Sequence, residues 1–295
     1  MTLEITRVQP FPESRTAVVT GAGAERGIGR RVVRKLVADG WSVAAADIDG
    51  AAVEAFAAQL NDEIPAESGR KVLGVGIDVA DPESVEAGFS RIDRELPQVV
   101  ALVNLAGIPS PQPLMEITPE SWDRVMGVNA KGALLMTQAA ARRMIDGGVG
   151  GRIVNTSSIT ALDGGGTFSK TGYAAAKAAV QGLTRGTARE LGVHGITANV
   201  ILPGPIDTDI MGGTLTDERK EGMSANIPLQ RVGQPEEVAG LIAQGMTNQE
   251  IGEALFMSIA TVKTHLGRLY HKLHVTNRVQ LAIRVLEQDV SRRPR

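Results

Sequence analysis

Thr16-Ala-Val-Val-Thr-Gly21-Ala-Gly-Ala-Glu-Arg-Gly27-Ile-Gly29 is the stretch of sequence that decides the fold. A β-branched run ends at Gly21, a glycine-rich turn follows, and an amphipathic segment continues through Leu36. A strand, a glycine-rich turn and a helix in this order are typical of a nucleotide-binding βα unit. The glycines let backbone N–H groups approach a pyrophosphate, and the helix N-terminus adds partial positive charge. The stretch therefore predicts a dinucleotide site, whereas the glycines alone would indicate only a tight turn.

The next predicted strand supplies a carboxylate for the ribose. Ser42-Val-Ala-Ala-Ala-Asp47 ends in Asp47, which follows Gly29 by 18 residues. A carboxylate at this position can accept hydrogen bonds from a ribose diol, and it would repel a 2′-phosphate. We therefore expect NAD(H) to be preferred over NADP(H).

Apolar runs alternate with helical patterns along the first 234 residues. Strands are predicted at residues 16–20, 42–47, 71–78, 99–104, 151–156 and 197–202. Continuous apolar strands separated by helices are typical of parallel sheets that are covered on both faces. The predicted fold class is therefore α/β, with a Rossmann-like doubly wound parallel sheet.

The composition excludes several kinds of chemistry. The 295 residues include no cysteine, which excludes disulfides, thiolate metal sites and cysteine nucleophiles. We expect no metal site. The N-terminal residues lack a signal-peptide pattern, and no apolar run approaches the roughly 18 residues of a membrane span. These features predict a cytoplasmic protein with no membrane partner.

The distribution of charge divides the chain near residue 235. The net charge is −2, yet residues 254–286 contain five basic residues and no acidic one. The sequence therefore predicts two domains, at residues 1–234 and 235–290, followed by a basic tail at 291–295. No Gly/Ser-rich linker separates them.

The first domain resembles the short-chain dehydrogenase/reductase family, and within it the 3-oxoacyl-carrier-protein reductase type. Its motifs occur in the family order: the Gly21–Gly29 turn, Asp78-Val79, Asn104-Leu-Ala106-Gly107, Asn129, Ser158, Tyr173-Ala-Ala-Ala-Lys177 and Pro203-Gly204. The turn carries two residues more than the commonest version, and Leu105 stands where a second Asn is usual.

The resemblance implies roles for particular residues. Ser158 would hold the substrate oxygen, Asn129 would support a proton relay, and Lys177 would also bind the nicotinamide ribose. The implied catalytic residues are Ser158, Tyr173, Lys177 and Asn129. The implied cofactor-binding residues are Gly21, Gly23, Gly27, Ile28, Gly29, Asp47, Asp78, Val79, Asn104, Ala106, Gly107, Tyr173, Lys177, Pro203, Gly204, Ile206 and Thr208.

The spacing of Tyr173 and Lys177 explains how they could act together. They stand at i and i+4, so they share one face of a helix. A phenol has a pKa of about 10, and a neighbouring ammonium group stabilises phenolate and lowers that pKa. Tyr173 can then exchange a proton with a substrate oxygen while hydride moves to or from nicotinamide. The substrate is expected to be a secondary alcohol or a ketone, although a packing tyrosine and a solvated lysine are the simpler alternative.

The sequence of the second domain predicts four helices, arranged along the chain as in a helix-turn-helix domain. The first covers residues 235–244, with Val238, Leu241 and Ile242 on its apolar face. Thr247-Asn-Gln-Glu250 is a capping box that begins a short second helix. Ser258 caps the third helix, and the fourth begins near Thr276.

This segment resembles the DNA-binding domain of LuxR-type transcription regulators, through Ala243-Gln-Gly-Met-Thr-Asn-Gln-Glu-Ile251, Thr261-Val-Lys-Thr-His265 and Lys272-Leu-His-Val-Thr-Asn-Arg278. The resemblance implies double-stranded DNA as a partner. Cations of the third helix can neutralise phosphates, and Thr or Arg can contact base edges. A solvated surface face is the alternative. The candidate DNA-binding residues are Thr247, Asn248, Thr261, Lys263, Thr264, His265, Arg268 and Lys272.

The junction departs from the dehydrogenase family, whose final strand has no counterpart here. We therefore expect residues 197–202 to form an exposed sheet edge that is prone to self-association. Three functions remain open: an NAD(H)-dependent oxidoreductase with a DNA-binding tail, a transcription regulator whose dehydrogenase-like part senses NAD(H) or dimerises without turnover, and a chimera with one inert half. A homo-oligomer is expected because helix-turn-helix dimers bind paired half-sites.

Overall fold

Six parallel strands form the centre of the structure, a computed structural model that describes residues 11–166, 169–211, 215–224, 227 and 229–246. They are β1 (Thr16–Thr20), β2 (Ser42–Asp47), β3 (Val72–Gly76), β4 (Val99–Asn104), β5 (Gly151–Thr156) and β6 (Ile196–Ile201). The order in the sheet is β3-β2-β1-β4-β5-β6, so the direction of winding reverses between β1 and β4. The predicted doubly wound parallel sheet is confirmed.

Helices connect the strands, and several begin at side-chain caps. The helices are α1 (Ile28–Ala38), α2 (Gly50–Glu63), α3 (Pro82–Glu95), α4 (Pro119–Met126), α5 (Gly132–Gly147), α6 (Thr160–Asp163), α7 (Thr171–Leu191), α8 (Asp217–Ser224) and α9 (Pro235–Met246). The side chains of Asp49, Asp81 and Thr118 accept hydrogen bonds from the first turns of α2, α3 and α4. These caps satisfy backbone N–H groups that have no partner within the helix.

The sheet separates two apolar cores. Ala17 and Val19 of β1 face a core that contains side chains of α1, α2 and α9. Val18 faces the opposite core, to which α3 contributes Phe89 and α5 contributes Met136. Alternate residues of a strand point to opposite faces, so a strand that is buried on both faces must be continuously apolar.

Helix α9 covers the first of these cores. Val238, Ala239 and Ile242 are buried in it, and Glu236 forms an ion pair with Arg31 of α1 at 2.6 Å. Leu241 is 56% exposed, so its predicted place on the buried face is wrong. The helix packs through Val238 and Ile242, and Leu241 lies about 100° away from Ile242 around the axis.

Strand β6 lies at an edge of the described sheet, where it pairs with β5 alone among the residues that the structure describes. Its central residue Asn199 is exposed, whereas β4 is buried throughout. The predicted exposed edge is confirmed for this part of the chain.

Over the described ranges, no helix is both long and apolar enough to cross a membrane. The helices predicted after residue 246, and with them all the candidate DNA-binding residues, lie outside the described residues.

Candidate active site

The turn between β1 and α1 brings two backbone segments into close contact. Gly21 has a φ angle of +71°, which favours glycine. A Cβ atom on Gly29 would lie 2.2 Å from the carbonyl oxygen of Gly21. Because no side chain fits at either position, the turn exposes backbone at the N-terminus of α1. This arrangement fits a dinucleotide pyrophosphate.

Asp47 is held at the end of β2 by two backbone donors. Gly23 N donates to Oδ2 at 2.8 Å, and Asp49 N donates to Oδ1 at 3.1 Å. A Cβ atom on Gly23 would lie 2.6 Å from Cγ of Asp47, so glycine is required for this approach. Each carboxylate oxygen has a second lone pair, with which it can accept a hydrogen bond from a ribose hydroxyl.

The ends of β3 and β4 contribute both lining and supporting residues. Asp78 and Val79 line the same cleft as Ala106 and Gly107. The side chain of Asn104 instead lies between β4 and β5, where Nδ2 donates to Oδ1 of Asn155 at 2.8 Å. Asn104 therefore fixes the strand end from which Ala106 and Gly107 reach the cleft.

Asn129 lies on a π-helical turn, Gly127–Lys131, between α4 and α5. Its Nδ2 donates to the carbonyl oxygens of Ile108 and Val125, both at 3.0 Å. Its Oδ1 is buried without a partner in the described part of the chain, as is Oγ1 of Thr156. Both residues line a cavity of about 10 Å³, close to the size of one water molecule. π-Helical turns occur frequently at functional sites.

Tyr173 and Lys177 lie one turn apart near the start of α7, as predicted. Nζ of Lys177 lies 5.5 Å from the centroid of the Tyr173 ring and donates to the carbonyl oxygen of Thr156 at 2.9 Å. Ser158, just after β5, lies close to the Tyr173 hydroxyl and acts to lower its pKa, and its Oγ donates to Oγ1 of Thr160 at 3.2 Å. The structure thus brings three of the four predicted catalytic side chains to one cleft.

Burial controls the protonation of this pair. It raises the pKa of Tyr173 to about 12, which exceeds the opposing effect of the hydrogen bond with Ser158. Burial also lowers the pKa of Lys177 to about 8. The lowering of the Tyr173 pKa that the sequence predicted is therefore not found, because desolvation by burial is the largest effect on the hydroxyl.

The loop after β6 completes the site. The carbonyl oxygen of Pro203 accepts a hydrogen bond from Ile159 N at 3.1 Å. Ile206 forms an isolated parallel bridge with Gly233. Thr208 is buried yet contributes to the lining of the cleft. These contacts hold the loop against the sheet at the carboxyl ends of its strands.

A cleft of about 1400 Å³ joins these parts. It is lined by the predicted residues Gly21, Gly27, Ile28, Gly29, Asp47, Asp78, Val79, Ala106, Gly107, Ser158, Tyr173, Lys177, Pro203, Gly204, Ile206 and Thr208. Of the remaining predicted residues, Gly23 lies against Asp47, and Asn104 and Asn129 line the small cavity. Nearly all the predicted site residues of the first domain therefore surround one connected space.

Sequence reasoning missed several residues of this cleft. Ile48 is 74% exposed, and it lines the cleft directly after Asp47, where an apolar side chain can pack against a base. Ile108, Ile210 and Met223 line it at other points. The sequence could have predicted Ile48 as a cleft residue, because it directly follows Asp47 at the end of a strand. The other three are brought in by tertiary structure, which no local pattern indicates.

Known proteins share this architecture. Residues 21–246 match the family model described as enoyl-(acyl carrier protein) reductase. (3R)-3-hydroxyacyl-CoA dehydrogenase of Rattus norvegicus is 41% identical over 241 residues, which cover 78% of this chain and 88% of that protein. L-rhamnose 1-dehydrogenase (NAD(P)(+)) of Azotobacter vinelandii is 37% identical over 247 residues, which cover 82% and 94%. A crystal structure of a short-chain type dehydrogenase/reductase from Mycobacterium marinum has a TM-score of 0.71 at 32% identity, with 79% and 88% covered.

A second match begins before the first one ends. Residues 235–285 match the family model described as bacterial regulatory proteins, luxR family. The two matches overlap over residues 235–246, which are the residues of α9. Both resemblances that the sequence indicated are thereby confirmed. The chain belongs to the short-chain dehydrogenase/reductase family and continues into a segment of the LuxR-type regulator family.

Proposed function

We propose that the first domain is an NAD(H)-dependent oxidoreductase that interconverts a secondary alcohol and a ketone. The observation that carries this proposal is one cleft that contains the glycine turn, Asp47 and the side chains of Ser158, Tyr173 and Lys177. The dehydrogenase and reductase names of the relatives support oxidation or reduction at a CH–OH group.

The cofactor is held by residues that the cleft presents along its length. The glycine turn would hold the pyrophosphate, Asp47 would hold the adenosine ribose diol, and Ile206 and Thr208, which line the same cleft, are assigned to the carboxamide. A bound nicotinamide supplies or accepts the hydride. Asp47 favours NAD(H) because its charge, fixed by two backbone donors, would repel a 2′-phosphate.

Proton transfer is assigned to Tyr173. Because the pKa of its hydroxyl is raised to about 12, the group is protonated at neutral pH and can donate to a ketone oxygen. Ser158, which lies close to the Tyr173 hydroxyl, is assigned to hold the same oxygen. Asn129, whose Oδ1 has no partner among the described residues, is assigned to a proton relay.

Replacing Tyr173 by Phe tests this assignment. Turnover of NADH with a panel of ketones is expected to fall about 10²- to 10⁴-fold, because the proton donor is lost. NADH affinity, measured by nicotinamide fluorescence, is expected to change little because the ring remains. Tyr270→Phe changes the other tyrosine of the chain and is the matched control, which should retain full turnover. Undiminished turnover in Tyr173→Phe would remove Tyr173 from its role.

We further propose that residues 235–290 bind double-stranded DNA and that 291–295 form a basic tail. The match to the regulator family and the acid-free stretch at 254–286 support this proposal. Pairing of two copies in a homo-oligomer would present two binding segments to the two half-sites of an operator.

A second function is favoured by the same match: a transcription regulator in which the dehydrogenase-like domain senses NAD(H) without turnover. The test is sequence-specific DNA binding by the unmodified chain, measured with and without NADH, together with turnover of the ketone panel. A response of DNA affinity to NADH, in an unmodified chain that turns over none of the panel, would favour the regulator. A third possibility, a chimera with one inert half, predicts that only one of the two activities is detected.

A further inference from the structure

One nearly buried carboxylate joins three elements around the cleft. The side chain of Asp207 is 8% exposed, and each of its oxygens has a cation beside it. Nη2 of Arg26 lies 3.0 Å from Oδ1, and Nζ of Lys220 lies 2.8 Å from Oδ2. Arg26 belongs to the glycine turn, Asp207 to the loop after β6, and Lys220 to α8.

The same loop makes further contacts with the turn and with the sheet. Arg26 N donates to Oδ2 of Asp209 at 3.3 Å, and its Nε lies 3.8 Å from Oδ1 of that residue. Asp207 N donates to the carbonyl oxygen of Gly233 at 2.9 Å. Asp207 is therefore anchored through its own backbone, and its two cations bring the turn and α8 to it. We call Arg26, Asp207, Asp209 and Lys220 the Asp207 cluster.

Neighbours of the Asp207 cluster line the cleft. Gly27 follows Arg26 in the turn that is assigned to the pyrophosphate. Arg219, which precedes Lys220, and Met223, one turn further along α8, also line the cleft, and we assign them to the substrate. Thr208, which follows Asp207, lines the cleft as well. A shift of either cation would therefore move a wall of the site.

We infer that Asp207 is a positioning residue that holds α8 over the cleft and couples its position to the glycine turn. This inference rests on the proposed function, since it assigns the turn to the cofactor and α8 to the substrate side. Arg26, one of the two cations that contact Asp207, belongs to the glycine turn. This turn is two residues longer than the commonest version.

Removal of the charge at Asp207 should weaken the binding of cofactor and substrate more than it slows the chemical step. Asp207→Asn keeps the shape of the side chain but leaves two cations without their shared partner, which is costly at a nearly buried site. We expect the Kd for NADH and the KM for the ketone each to rise at least about tenfold. The kcat and its pH profile should change little, because Tyr173 and Lys177 are untouched.

Replacing Arg26 and Lys220 one at a time separates the effect of Asp207 on the cofactor side from its effect on the substrate side. Arg26→Met should weaken NADH binding more than it raises the ketone KM, and Lys220→Met should do the opposite. Each single variant should have a smaller effect in an Asp207→Asn background than in the unmodified chain, because all three residues share one contact. Asp93→Asn is the control, since Asp93 forms an exposed ion pair with Arg143 on α5.

Trypsin provides a readout of α8 that needs no turnover. Arg219 and Lys220 are both tryptic sites, so NADH should slow cleavage within α8 in the unmodified chain and should lose this effect in Asp207→Asn. The same measurement in Tyr173→Phe separates the inference from the proposed function, because protection by NADH should survive the loss of turnover. Unchanged NADH affinity, ketone KM and protection in all three variants of the Asp207 cluster would overturn the inference.

Discussion

Among the residues that the structure describes, no carboxylate pairs with the buried amine of Lys177, and this single residue makes the stability of the protein depend on pH. Burial lowers its pKa from the usual 10.5 to about 8. Between these values the unfolded chain holds a proton that the folded chain has lost. Stability therefore rises with pH across this window. Tyr173 opposes the trend only above about pH 10, because its pKa is raised to about 12 in the folded state.

We predict that the cofactor-free protein gains about 2 kcal/mol of unfolding free energy between pH 8 and pH 10 relative to Lys177→Met. The methionine keeps the apolar stem of the side chain and removes the titrating group. Urea unfolding at the two pH values measures the difference. Parallel pH profiles for the two proteins would show that the amine is not desolvated in the folded state.

Asp47 allows a second prediction for a single residue. Asp47→Ser should lower the ratio of kcat/KM for NADH to that for NADPH by about tenfold or more, because the charge that repels a 2′-phosphate is removed. Asp49→Asn is the matched control: it changes a carboxylate two residues away, and asparagine preserves the cap of α2. Equal use of both cofactors by the unmodified chain would contradict the role of Asp47.

At the scale of elements, α9 provides neighbouring apolar residues with opposite environments. Ile242 is 1% exposed in the core that α1 shares, and Leu241 is 56% exposed. We predict that Ile242→Ala costs about 2–5 kcal/mol of stability, because it leaves a cavity. Leu241→Ala should cost less than about 0.5 kcal/mol. Unfolding followed by the fluorescence of Trp41, which is buried in the same core, measures both; equal losses would mean that α9 packs differently.

The sequence predicted the positions of the helices and strands better than it predicted which of their side chains are buried. The strands were predicted correctly because a strand covered on both sides is almost continuously apolar, as in β4, where Asn104 is the single polar residue. Tyr173 and Lys177 were placed together because helical spacing is local. Leu241 was misplaced because adjacent apolar residues of a helix are equivalent until the packing partner is known. The raised pKa of Tyr173 was missed for a similar reason, since burial depends on contacts between distant segments.

At the scale of the whole molecule, charge is distributed unevenly along the chain. The dehydrogenase domain has a slight excess of acidic residues, whereas the charged residues within 254–286 are all basic. We predict that duplex DNA affinity of the full chain falls steeply with salt, because bound phosphates release counterions. Lys263→Ala and Arg268→Ala should each weaken binding and reduce the slope of log K against log salt by about 1. Arg284→Ala, outside the candidate set, is the control. Salt-independent binding, or equal effects of all three variants, would contradict the proposed interface.

The packing of α9 also has a genetic consequence. Two coding sequences can be recombined without a linker only where the encoded peptide satisfies both parents, and residues 235–246 match both families. Val238 and Ile242 are buried in the core that α1 shares, so a junction within this helix must keep apolar side chains at these two positions. An amphipathic helix that is common to two families is thus a position at which their coding sequences can be joined without a linker.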